Sequence, residues 1–168
     1  MSDLPTALAD GAELRLAEPG DVPGILACIH ALARYEREPD AVRTTEADLV
    51  EALFGPDPRV HAHVVVKRGQ VVAIAVWFVN YSTWTGRHGL YLEDLVVLEE
   101  ERGSGYGRAL LTELARVCVA RGYARFEWAV LDWNSPAIAF YRSVGAVGMD
   151  EWTTQRLAGD ALRALADG

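Results

Sequence analysis

Apolar residues recur along this chain with two different periods. Ile25, Leu26, Ile29, Leu32 and Ala33 fall at helical spacing just after Pro19-Gly20, so a helix is predicted over Asp21–Glu36, with Asp21 as its cap and Pro23 in its first turn. A short strand, Glu13–Ala17, precedes it. Thr44-Thr45-Glu46 opens a second helix, capped by Thr44 or Thr45, with Leu49, Val50, Leu53 and Phe54 on its apolar face and Gly55-Pro56 as its stop. From His61 the period shortens to two. His61–Arg68 and Gln70–Tyr81 are rich in β-branched and aromatic residues, and Arg68-Gly69 between them reads as the turn of an antiparallel hairpin.

After a loop over Ser82–Gly89, Leu90–Leu98 reads as a further strand, and Arg108–Arg121 as a helix with Leu110, Leu111, Leu114, Val117 and Cys118 on one side. A right-handed crossover through that helix makes the next strand, Arg125–Leu131, parallel to Leu90–Leu98. Trp133-Asn134-Ser135-Pro136 announces another helix, capped by Asn134 or Ser135 and running to about Ser143; a last strand is expected near Thr153–Leu157, before an Ala-rich tail. This order of elements predicts an α/β layered domain with a mixed sheet.

The length, 168 residues, suits one core, so the expectation is a single domain over residues 1–168, with 1–12 a flexible N-terminus. No apolar run approaches the ~18 residues of a membrane helix, and the acidic N-terminus lacks a signal sequence, so no membrane association and a cytoplasmic location are expected. The net charge is −8, and residues 1–60 carry most of it, with 12 acids against 5 bases. Such a field repels nucleic acid and attracts a cationic ligand, although a solvated acidic face has the same composition. Cys28 and Cys118 sit in helical apolar patterns and read as buried thiols. His61 and His63 share one face of a strand, but no third ligand is indicated nearby and no metal is expected.

Candidate chemistry concentrates in Arg102-Gly103-Ser104-Gly105-Tyr106-Gly107, between a predicted strand and a predicted helix. Glycines let the backbone approach a ligand, and a helix N-terminus adds roughly half a positive charge, so the segment can cradle phosphate. A P-loop would need Gly-Lys-Ser/Thr, whereas Gly107 is followed by Arg108-Ala109 and the only lysine is Lys67. A dinucleotide fingerprint would need glycine at Arg108, although Glu127 does lie about 20 residues on, where a ribose-binding acid is expected. A glycine turn that holds no ligand also fits the loop taken alone.

The remaining pattern, Arg102-x-x-Gly105-x-Gly107, resembles the acetyl-CoA pyrophosphate loop of the GNAT N-acetyltransferases. The likeness to the spermidine/spermine (diamine) N-acetyltransferase branch extends over most of the chain. It is carried by Leu32–Glu36, Tyr81–Arg87, Leu90–Asp94, Arg102–Gly107 and Leu131–Tyr141 in combination. That resemblance implies a GNAT fold, with a largely antiparallel sheet and one parallel strand pair splayed around acetyl-CoA. It implies that the backbone of Leu95, Val96 and Val97 bonds the pantetheine arm and acetyl carbonyl. Arg102 opens the motif, and Gly103, Ser104, Gly105, Tyr106, Gly107 and Arg108 would hold the pyrophosphate, with Asn134, Ser135, Pro136 and Ala137 also touching CoA. Tyr141 would be the catalytic tyrosine and Glu93 the substrate-side carboxylate and base. Tyr35, Glu36, Glu127 and Trp128 would line the amine pocket, with Trp84 and Trp128 beside the acceptor's aliphatic chain. A homodimer is likewise implied.

Elementary chemistry supports these roles. An alkylammonium has a pKa of about 10.4 and must lose a proton before it attacks a thioester, which is work for Glu93. Two N–H groups of the strand from Leu95 can stabilise the oxyanion, at about 3 kcal/mol per donor in comparable sites. The departing thiolate needs a proton, which Tyr141 can give. Two features depart from the family: Tyr106 replaces a small aliphatic residue, as a solvent-facing position would tolerate, and Val147–Gln155 differs from polyamine-specific enzymes. The acceptor is therefore a small cationic amine, either a polyamine or diamine or a thialysine-like amino acid. A protein N-terminus or lysine as acceptor, or an acyl-CoA sensor without turnover, are the competing readings.

Overall fold

The computed structural model describes residues 5–168, which form two compact units divided after Ala129. The first holds a six-stranded sheet in chain order: β1 (Thr6–Ala7), β2 (Glu13–Leu16), β3 (Val60–Lys67), β4 (Gln70–Ser82), β5 (Arg87–Val97) and β6 (Phe126–Trp128). Neighbouring strands are antiparallel except β5 and β6, which run parallel. Three helices belong to this unit: α1 (Val22–Tyr35), α2 (Glu46–Phe54) and α3 (Tyr106–Ala120). The expected mixed α/β fold with one parallel pair is what forms.

Strand alternation assigns the two faces. Ile74 and Val76 of β4 join Val64 and Ala62 of β3 in a core closed by Ile25 and Cys28 of α1 and Leu49 and Leu53 of α2. The other residues of β4, Ala73, Ala75 and Trp77, are buried too, and α3 packs on that strand with Leu110, Leu114 and Val117. Both cysteines are free and buried, as their apolar settings imply. Gly24 marks where α1 meets the sheet most closely, since a Cβ there would lie 2.7 Å from that of Val71.

Local chemistry explains the boundaries. Thr45 caps α2 and exchanges bonds reciprocally with Asp48. Arg68 and Gly69 both take positive φ, 52° and 77°, the twist a two-residue hairpin turn requires. Asp21 stands at the start of α1 but makes no side-chain cap bond; its carboxylate is held by Arg15, at 2.6 Å, and by the N–H of Glu18.

Four boundaries differ from expectation. The Ser82–Gly89 loop shrinks to a tight turn because pairing continues to Ser82 and Arg87. Helix α3 begins inside the glycine loop, at Tyr106. Strand β6 ends at Trp128, three residues before the expected Leu131. Residues 153–157 form no strand, because no described strand pairs with them. Within the segment expected to be a flexible N-terminus, residues 1–4 lie outside the described residues, Thr6–Ala7 form β1, and the N–H of Leu8 donates to Ala12. The second unit, Val130–Gly168, contains α4 (Ser135–Ser143) and α5 (Gly159–Ala166).

The histidine pair of β3 is structural. His63 is 5% exposed, and its Nδ1 accepts the indole N–H of Trp77 at 3.1 Å, so the ring is neutral with its proton on Nε2. Among the described residues no group of three His, Cys, Asp or Glu side chains is placed to hold a metal. Burial pushes His63 down to about 4, below its ordinary value of 6.5. Between those values the unfolded chain binds the proton and the folded one does not, so this histidine's contribution to stability is full above 6.5 and is lost as pH falls toward 4. An NMR titration should show the His63 ring still neutral at pH 5; a midpoint at or above 6.5 would contradict the buried acceptor role.

Candidate active site

Strand β5 is the axis of the site. It pairs with β6 at Leu90–Phe126, Tyr91–Glu127 and Leu92–Trp128, and there β6 ends. From Asp94 to Val97 it remains paired with β4 on one side, and no described strand pairs with it on the other. Leu95, Val96 and Val97, expected to bond the pantetheine arm, lie on this one-sided stretch. Where the two strands part, the ladder also slips. Val76 faces Asp94 and Trp77 faces Leu92, so Glu93 is the extra residue of a β-bulge. A bulge re-aims the side chain it carries.

Carboxylates gather at that irregularity. Burial pushes Asp94 up to about 6, with the charges of Glu93 and Glu36 adding to the effect. Burial also raises Glu36, at the C-terminal end of α1. Tyr91 is raised by burial and by the charges of Glu93 and Glu127. Glu36, Glu93, Asp94 and Glu127 therefore share one electrostatic neighbourhood, which favours a cation. Glu127 is partly neutralised, since Arg125 Nε lies 2.7 Å away as an ion pair and Asn80 Nδ2 donates to it at 3.1 Å. Trp128 packs edge-on against Phe126, with ring centroids 4.9 Å apart.

Just past β5 comes the glycine loop. Gly103 and Gly105 take φ of 85° and 83°, where a side chain costs about 1–2 kcal/mol. Gly105 is the N-cap of α3 and has no side chain to bond the first-turn N–H groups. A pocket of about 310 Å³, lined by Gly105, Arg108 and Ala109 with Thr6, Leu8 and Leu14 among others, opens beside that helix start. Arg102 stacks over the ring of Tyr35 at 4.8 Å, which ties the phosphate-loop motif to the end of α1.

Tyr106 and Trp84 are placed otherwise than expected. Tyr106 is 2% exposed rather than solvent-facing: its hydroxyl donates to Asp10, and the Lys67 ammonium lies 5.8 Å from its ring centre. Trp84, 88% exposed, sits in the β4–β5 turn. From the Ser82–Arg87 pair to the Trp77–Leu92 pair is five residues of β4, about 17 Å of strand, so a single chain keeps this indole away from the bulge. Asn134, Ser135, Pro136, Ala137 and Tyr141 belong to the second unit. There Asn134 caps α4 by accepting from the N–H of Ala137, Pro136 occupies the first turn, and Tyr141 packs against Phe140. Sequence analysis assigns a role to Glu93 but not to Asp94, although the Glu93-Asp94 pair between apolar residues of β5 was the available signal.

Residues 26–146 match the family described as Acetyltransferase (GNAT) family. The chain belongs to the GNAT acetyltransferases. It is 37% identical to the thialysine N-epsilon-acetyltransferase of Sus scrofa, over 91% of this chain and 96% of that protein. It is 32% identical to the L-ornithine N5-acetyltransferase NATA1 of Arabidopsis thaliana, over 96% and 90%. A spermidine/spermine N(1)-acetyltransferase-like protein 1 of Homo sapiens shares 33% identity over 83% of this chain, which spans about a fifth, 21%, of that longer protein. The chain is an N-acetyltransferase of the branch its motifs resemble.

Asp94 tests the electrostatics of the site. Its folded pKa of about 6 lies above the ordinary 3.8, so its contribution is full below 3.8 and is lost as pH rises through 6. Asp94→Asn should therefore stabilise the protein by about 1–3 kcal/mol at pH 8 and by much less at pH 4, read as the difference in denaturant midpoints. Equal effects at both values would deny the buried, raised carboxyl.

Proposed function

We propose that this GNAT enzyme transfers the acetyl group of acetyl-CoA to a primary amine of a small cationic acceptor by direct attack in a ternary complex. The observation that carries the reading is the parting of β5 from β6 at a bulge that presents an exposed Glu93 beside the half-buried acid Asp94, shortly before a glycine loop and an uncapped helix N-terminus. Acetyl-CoA supplies the activated acyl group. Leu95–Val97 would bond its pantetheine arm with their one-sided backbone. Gly103–Arg108 would receive its pyrophosphate, with Asn134, Ser135, Pro136 and Ala137 as further contacts. No metal has a role in this chemistry.

Glu93 takes the proton from the acceptor's ammonium, directly or through a water, and the free amine attacks the thioester carbon. Backbone N–H groups of the strand from Leu95 hold the oxyanion. As the C–S bond breaks, Tyr141 donates its phenolic proton to the thiolate and regains one from the attacking nitrogen, directly or through water, which leaves a neutral amide and the free thiol of CoA. Glu36 and Asp94 hold a second positive charge of the acceptor, with Tyr35, Glu127 and Trp128 as further walls. The names of the thialysine and ornithine relatives support a basic amino acid with a side-chain amine over a polyamine. The enzyme would work as a homodimer, with Trp84 serving the acceptor's chain.

The test is CoA release from acetyl-CoA against thialysine, ornithine, lysine, spermidine, spermine and putrescine. Saturable release is expected with the basic amino acids. Tyr141→Phe should lower kcat about 100-fold while leaving CoA binding intact, the size typical of lost acid–base catalysis. Tight acetyl-CoA binding with no release against any amine would instead favour a protein acceptor or a sensor.

A further inference from the structure

The chain's single lysine lies next to the loop that the proposed reading assigns to the pyrophosphate. Lys67, the last residue of β3, places its Nζ 2.8 Å from Glu101 and 3.3 Å from Asp10. Glu101 immediately precedes Arg102. The same oxygen of Asp10 accepts the hydroxyl of Tyr106, and the ammonium stands 5.8 Å from the centre of the Tyr106 ring. One cation thus reaches both ends of the segment Glu101–Tyr106, whose middle contains two glycines at positive φ.

Two physical consequences follow. A loop with two left-handed glycines has many accessible conformations, and fixing its ends reduces the ordering that a ligand must impose. The loop also follows three consecutive carboxylates, Glu99, Glu100 and Glu101, a poor setting for a pyrophosphate. Lys67 neutralises the last of them. Its ammonium is held above the ordinary lysine range by the bond to Glu101 first and by its other partners, so it stays charged throughout the neutral range.

We propose that Lys67 is a positioning residue for acetyl-CoA: with Asp10 it clamps Glu101 and Tyr106, fixing the phosphate loop and cancelling the negative charge at its entrance. The proposal rests on the acetyl-CoA reading given above. It reaches the ligand only through the loop, and it concerns the pyrophosphate rather than the acetyl group.

The experiment measures CoA binding by calorimetry and steady-state kinetics on the full chain, with Lys67→Met, Lys67→Arg and Tyr106→Phe. Lys67→Met should raise the Kd for CoA and the KM for acetyl-CoA about tenfold, with kcat and the amine KM within twofold of wild type. Lys67→Arg should recover most of the loss, and Tyr106→Phe should raise the Kd about threefold. S-acetylpantetheine, which lacks the pyrophosphate, should serve wild type and Lys67→Met equally well; a general structural defect would impair both donors. Unchanged CoA binding by Lys67→Met, or equal losses with both donors, overturns the proposal while leaving the acetyltransferase reading intact. Should Lys67→Met fail to fold, unchanged CoA binding by Tyr106→Phe overturns it in the same way. Wild-type protein that binds no CoA overturns both.

Discussion

A strand inside a sheet spends its backbone hydrogen bonds on two neighbours, and β5 does so only as far as Leu92. Beyond that point the N–H and C=O groups on its open edge need other partners, because unpaired buried backbone groups cost about 1–3 kcal/mol each. The short β6 is therefore the feature on which the rest of the first unit depends. Had it continued to Leu131 in register, as its composition allows, it would have paired with Glu93, Asp94 and Leu95 and closed the edge. The crossover helix α3 adds a second constraint, since a right-handed connection returns to β6 only if it starts just beyond the end of β5. That requirement puts a helix N-terminus beside the open edge.

The acids at the bulge work against folding. Asp94 and Glu36 are both raised by burial, which means that the charged forms are less stable there than in water. Asp21 escapes this by pairing with Arg15, which holds its carboxyl below the ordinary value. Asp94 and Glu36 show raised values because no comparable cation offsets their burial. Carboxylates left in that state are matched to a cationic ligand, whose arrival removes the mutual repulsion. The same stretch of β5 thus weakens the unliganded protein while keeping charge available for the cationic acceptor proposed above, a trade common where binding needs preformed charge.

Much of this was legible in sequence because it rests on local chemistry. The helical stripe of Ile25, Ile29 and Leu32, a cap at Thr44 or Thr45, the Arg68-Gly69 turn and a cap at Asn134 or Ser135 with Pro136 each follow from short-range preferences, and the structure resolves the two alternatives to Thr45 and Asn134. What escaped was non-local. The bulge at Glu93 depends on the register between two strands, and no property of Glu93 alone announces it. Tyr106 reads as solvent-facing from the motif alone, yet its partners, Asp10 and Lys67, lie 96 and 39 positions away in the chain. The strand expected near Thr153–Leu157 does not form, since no described strand lies beside it to pair with.

The glycine loop shows why motif and context must be separated. Its three glycines specify a backbone that can approach phosphate, and Gly105 specifies a helix start with no side-chain cap. Neither property sets the loop's position against the sheet. That is done by residues outside the motif, Glu101 held by Lys67 on one side and Tyr106 held by Asp10 on the other. A replacement at Tyr106 by a small aliphatic residue would leave Asp10 without its hydroxyl donor and Lys67 without the ring it faces. In this chain the large residue is therefore part of the cradle's support, and the second carboxylate on Lys67 is the compensation that keeps it there.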